Sequence, residues 1–109
     1  MPQELGGDGG EGTNPEQLFA MAYASCFLEA IKRVADANKT EIAVDSNVTA
    51  TVGIGRRDDG KGMALMVSLL IDLPGLDQTV AEDLVGRAHL VCPYSEATKS
   101  NLNVNIRVT

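Results

Sequence analysis

The chain has 109 residues, 44% of them hydrophobic and 22% charged, which suits one globular domain that buries roughly two thirds of its unfolded surface. A formal net charge of −6 argues against nucleic acid or an anionic membrane as partner, because both call for a basic surface. No apolar run reaches the length needed to cross a bilayer.

Residues 1–12 hold five of the eleven glycines and read as a glycine-rich lead-in to a single domain spanning 1–109. The start, MPQELGGDGG, has neither the basic nor the apolar region of a signal peptide, so the expected compartment is the cytoplasm. Thr13-Asn14-Pro15-Glu16 is a helix start, with a polar cap, proline at the first position and an acid where the dipole favours one. From Leu18 to Val34 the chain is apolar on almost every side, which predicts a central helix covered all round. Lys32, Arg33 and Lys39 place positive charge at its far end, as the macrodipole prefers.

Residues 47–55 alternate, with Val48, Ala50, Val52 and Ile54 on one side, and predict a half-buried strand. A polar turn follows from Arg56 to Gly62 with Asp59-Gly60 at its centre. Met63 to Leu73 predicts a second strand, apolar on both faces, and an antiparallel hairpin with the first. Thr79-Val80-Ala81-Glu82 reads as a capping box opening a second helix. Pro93 must end or kink that helix, which leaves Cys92 at its terminus. Val104, Ile106 and Val108 alternate with polar residues in a last strand. The expected class is α+β, two central helices packed on an antiparallel sheet.

The two cysteines, Cys26 and Cys92, stand 66 residues apart, and all four aromatic residues lie close to one or the other. Phe19, Tyr23 and Phe27 run along the first helix, and Tyr94 follows Cys92. This grouping points to thiol chemistry in an apolar pocket. A reducing compartment works against a structural disulfide, so any bridge is expected to be transient and redox-active. Zinc is disfavoured, because the chain has one histidine, His89, and no C-x-x-C pair. His89 is read as a structural hydrogen-bonding residue, and Arg56 with Arg57 as a solvated turn. Taken alone, a cysteine on an apolar helix is usually inert, aromatics spaced by four are usually core, and Glu16 could be only a helix-start acid.

Two longer segments outweigh those defaults. GTNPEQLFAMAYASCF (residues 12–27) and HLVCPYSEATKSN (residues 89–101) resemble the organic hydroperoxide resistance (Ohr) family of the OsmC-like superfamily. Ala88 to Ser95 match that family's A-H-x-V-C-P-Y-S segment, and the resemblance runs over almost the whole chain from about Glu4. It implies an OsmC-like fold in an intertwined homodimer. It also implies a thiol-dependent peroxidase that reduces organic hydroperoxides to alcohols in the response to oxidative stress. Cys26 matches the peroxidatic cysteine, Cys92 the resolving one and Glu16 the active-site glutamate. No bound cofactor is implied; the reductant would be a dithiol, dihydrolipoamide or a lipoyl-carrying protein. The family's N-terminal strands, with the arginine that pairs with the glutamate, are expected to be missing, and the first cationic side chain here is Lys32.

The chemistry sets its own requirements. Only the thiolate attacks a peroxide, and a cysteine buried among Phe19, Tyr23 and Phe27 needs a cation to ionise. Glu16 alone would work against it. Glu16 and Cys26 are ten residues apart, about 15 Å along one continuous helix, so cooperation between them requires a second, antiparallel copy. The stripe of Phe19, Tyr23 and Phe27 is expected to form the substrate pocket for the organic tail. The alternative is a non-catalytic or redox-sensing OsmC-like protein that lacks the activating arginine.

Overall fold

The computed structural model describes residues 14–57, 59–99 and 102–109; the glycine-rich lead-in, Thr13, Asp58, Ser100 and Asn101 lie outside them. The first helix, α1 (Pro15–Ala37), starts where the sequence places it. The Asn14 side chain accepts from Gln17 N–H at 2.9 Å, and the Gln17 side chain accepts from Asn14 N–H at 3.2 Å, a reciprocal capping box. At the other end Lys39 takes a positive φ of 55°. Its N–H bonds Asp36 O at 3.1 Å and the Thr40 N–H bonds Ala35 O at 2.8 Å, the paired bonds of a Schellman ending usually built on glycine.

The expectation of a helix covered all round is not met. Tyr23, Phe27, Ala30, Ile31 and Ala35 are buried, whereas Leu18 is 56% exposed and Met21 64%. The sheet and the second helix cover one flank of α1, and the opposite flank faces outward in this chain.

Strands β1 (Asn47–Arg56) and β2 (Met63–Asp72) form the expected antiparallel hairpin. The turn between them closes with Arg57 N–H on Gly62 O at 2.9 Å and Gly60 at φ 69°. Strand β3 (Asn103–Val108) adds to the other edge of β2 and runs parallel to it. The sheet is therefore mixed, in the order β1-β2-β3, rather than wholly antiparallel. The cause is the connection: the chain leaves β2, crosses over through helices and returns in the same direction. Three rows of side chains cross the covered face in register: Val52–Val67–Val104, Ala50–Leu69–Ile106 and Val48–Ile71–Val108. These rows and the buried side of α1 make the core. Met66 and Leu70 lie on the opposite face and remain exposed.

The crossover contains two helices, α2 (Gln78–Val91) and the short α3 (Pro93–Thr98). Thr79 does not open α2. Asp77 does, accepting the Thr79 N–H at 3.1 Å, and the earlier start lets Gln78 Nε2 reach Val108 O at 3.3 Å. Pro93 ends α2 as expected, and then becomes the first residue of α3. Cys92 stands between the two helices with extended backbone, φ −69° and ψ 122°. Among the described residues no helix is long and apolar enough to cross a membrane.

Candidate functional site

Residues far apart in the chain meet where α1 packs on the joint between α2 and α3. Cys26 sits midway along α1, and Cys92 is the joint itself. Their Sγ atoms are 3.3 Å apart, and both thiols are free. The two are not equivalent. Cys92 has no exposed surface, whereas Cys26 is half-buried and opens on a concavity of about 260 Å³.

That concavity is lined by Cys26, Glu29, Ala30, Arg33, Val91 and Pro93. The α1 residues recur at three, four and seven positions after Cys26, which is one stripe of a helix. Arg33, read from sequence only as charge at the helix end, therefore shares a wall with the Cys26 sulfur. The seven-residue spacing from Cys26 is the signal that could have placed it. Burial pushes the Cys26 thiol above its ordinary value, and its hydrogen bond with Cys92 adds to the rise. A backbone hydrogen bond from Tyr94 and the positive charge of Arg33 act in the opposite direction without cancelling it.

The aromatics lie beneath this surface. Phe19 stacks on Tyr94 with ring centroids 6.1 Å apart, and both meet Tyr23 edge-on at 5.9 Å. Tyr23 and Phe27 are wholly buried. Of the expected substrate wall of Phe19, Tyr23 and Phe27, the structure places Tyr23 and Phe27 in the core of this chain, on the side of α1 that α2 and α3 cover. None of the three lines the concavity at Cys26. Phe19 is only partly buried and Tyr94 is partly exposed, so these two rings reach the surface.

A polar network passes through the same core. Tyr23 Oη lies 2.9 Å from Ser95 Oγ, which lies 2.8 Å from His89 Nδ1. Thr98 Oγ1 donates to Ser95 O at 3.2 Å. His89 is hydrogen-bonded as the sequence reading expects, and its ring also lies 6.4 Å from that of Phe27.

Glu16 is not brought to the thiols. It shares the unbroken α1 with Cys26, so the helical rise keeps them about 15 Å apart along the axis. Its Oε2 is buried with no hydrogen-bond partner among the described residues, a costly state for a carboxylate oxygen. Arg57 bonds Asp59 at 2.6 Å at the exposed hairpin turn. Among the described residues no group of three or more His, Cys, Asp or Glu side chains is placed to hold a metal ion.

The sequence model of the OsmC-like protein family matches residues 7–107. The organic hydroperoxide resistance protein of Xanthomonas axonopodis pv. citri is 48% identical over 105 residues, covering 96% of this chain and 72% of that protein. The solved structure of the organic hydroperoxide resistance protein OhrB of Bacillus subtilis superposes with a TM-score of 0.89 at 38% identity, covering 100% of this chain and 78% of the other. An organic hydroperoxide resistance protein from Elizabethkingia anophelis gives 0.90 at 41% identity, covering 100% and 76%. On the family match over residues 7–107 and the likeness to these relatives in sequence and fold, the chain belongs to the organic hydroperoxide resistance group of the OsmC-like family.

Proposed function

We propose that this protein serves in organic hydroperoxide resistance as a thiol peroxidase, with Cys26 as the attacking thiol and Cys92 as the resolving one. The observation that carries the reading is the pair of free thiols at 3.3 Å, one opening on a concavity and the other sealed. The names of its relatives supply the substrate class.

The Cys26 thiolate takes the terminal oxygen of the hydroperoxide. The O–O bond breaks, the alkoxide gains a proton and leaves as the alcohol, and the sulfur becomes a sulfenic acid. Cys92 then attacks that sulfur; the S–S bond forms, the S–O bond breaks, and the proton of Cys92 leaves with the oxygen as water. A dithiol, dihydrolipoamide or a lipoyl-carrying protein, reduces the disulfide by exchange and is itself oxidised. The apolar wall of Ala30, Val91 and Pro93 suits an organic tail, and the reducing poise of the cytoplasm suits two free thiols. Glu16 joins the site across a homodimer, where the oxygen left without a partner among the described residues would meet a cation.

Rapid consumption of tert-butyl hydroperoxide with dihydrolipoamide, abolished by Cys26→Ser, is the expected result. A preparation with verified free thiols that leaves the peroxide untouched overturns the reading. One observation favours a second reading, a non-catalytic or redox-sensing member of the family: burial holds the Cys26 thiol above its ordinary value. Slow sulfenic acid formation together with a partner that binds only the disulfide form would decide for it.

A further inference from the structure

Cys92 is the joint of the crossover, the last cap of α2 and the first of α3. At the joint Pro93 supplies no N–H, and the backbone of Cys92 is held by its own N–H on Ala88 O at 2.8 Å and the Glu96 N–H on its carbonyl at 3.0 Å. Side chains add a second tie across the joint. His89 stands three residues before Cys92 and Ser95 three residues after it, and the two bond each other across the joint at 2.8 Å. Ser95 is bonded in turn to Tyr23 at 2.9 Å, and Tyr23 stands three residues before Cys26 on α1. One chain of hydrogen bonds therefore straddles the buried thiol and ties it to the helix that bears the other.

The Tyr23 hydroxyl has no exposed surface. Phenylalanine would fill the same space without the cost of desolvating a hydroxyl, so packing alone does not account for tyrosine here. The consequence of a loose joint is chemical. A sulfenic acid on Cys26 has two fates: condensation with Cys92, or reaction with a second hydroperoxide to give sulfinic acid and another alcohol, which exchange with a dithiol does not reverse. The first fate prevails only while Cys92 stays within reach.

We propose that Tyr23, Ser95 and His89 are positioning residues for the resolving step, holding Cys92 beside Cys26 so that disulfide formation outruns over-oxidation. This rests on the roles given above to the two cysteines. The test is to add excess cumene hydroperoxide to the reduced protein and read disulfide against sulfinic acid by intact mass, with the rate of the first oxidation measured separately. Ser95→Ala and Tyr23→Phe should raise the sulfinic-to-disulfide ratio about ten-fold, the scale expected when a reacting group is displaced by a fraction of an ångström. The first oxidation should keep its rate, and Ser95→Thr, which retains the hydroxyl, should recover the wild-type ratio. Variants that partition like the wild type, with the wild type forming its disulfide, overturn the inference. A wild type that forms no disulfide overturns instead the roles of the cysteines. Should Ser95→Ala fail to fold, Tyr23→Phe decides, since it removes one oxygen and leaves the ring packing in place.

Discussion

At Cys26 two demands oppose each other. The proposed apolar substrate calls for apolar surroundings, and burial holds the thiol above its ordinary value. Alkylation by iodoacetamide should therefore keep accelerating as pH rises past that value, and Arg33→Ala should shift the profile further up because a stabilising charge is lost. A rate that levels off below neutral pH would contradict this. The same rise has a sign for folding. A thiol whose folded value is raised adds stability that is full below its unfolded value and is lost as pH climbs through the folded one. Lys39 carries a different strain, since left-handed backbone costs a non-glycine residue about 1 kcal/mol. Lys39→Gly should raise the urea midpoint accordingly. The pair Cys26 and Cys92 was legible in the sequence because each lies in a distinctive motif. The place of Arg33 was not read, because two turns of helix separate it from the sulfur and its charge suited the helix end equally well. The burial of Tyr23 and Phe27 was not legible either, because periodicity reports which side of a helix is apolar, not what covers it.

Among the elements, alternation located β1 and β3 and assigned their covered residues, and a continuous apolar run located β2. Strand direction was another matter. Val104, Ile106 and Val108 alternate identically in a parallel or an antiparallel pairing, and only the path through α2 and α3 decides between them. Helix starts show a related ambiguity. Asp77 and Thr79 are both capping residues by type, and the structure selects Asp77. Asp77→Ala should cost about 1 kcal/mol in chemical unfolding, whereas Thr79→Ala should cost only a few tenths. Equal losses would return the helix start to Thr79. The short helix α3 had no clear signal, since six residues are too few for a hydrophobic period to declare itself.

For the whole molecule, Leu18 and Met21 on α1 and Met66 and Leu70 on the open sheet face leave apolar surface uncovered. Surface of this kind favours association, in keeping with the homodimer proposed above. Met21→Glu should weaken self-association in sedimentation equilibrium, and a wild type that sediments as a monomer would count against the dimer. The closeness of Cys26 and Cys92 has a further meaning once the chain is regarded as a polymer. A bond between them closes a ring that takes in the hairpin and all of α2, with 66 residues from one end to the other. A ring of that size removes enough freedom from the unfolded chain to stabilise the fold by about 4 kcal/mol. The oxidised protein should melt about 15 °C or more above the reduced one, so the cycle proposed above would alternate between a taut molecule awaiting its reductant and a looser one ready for peroxide.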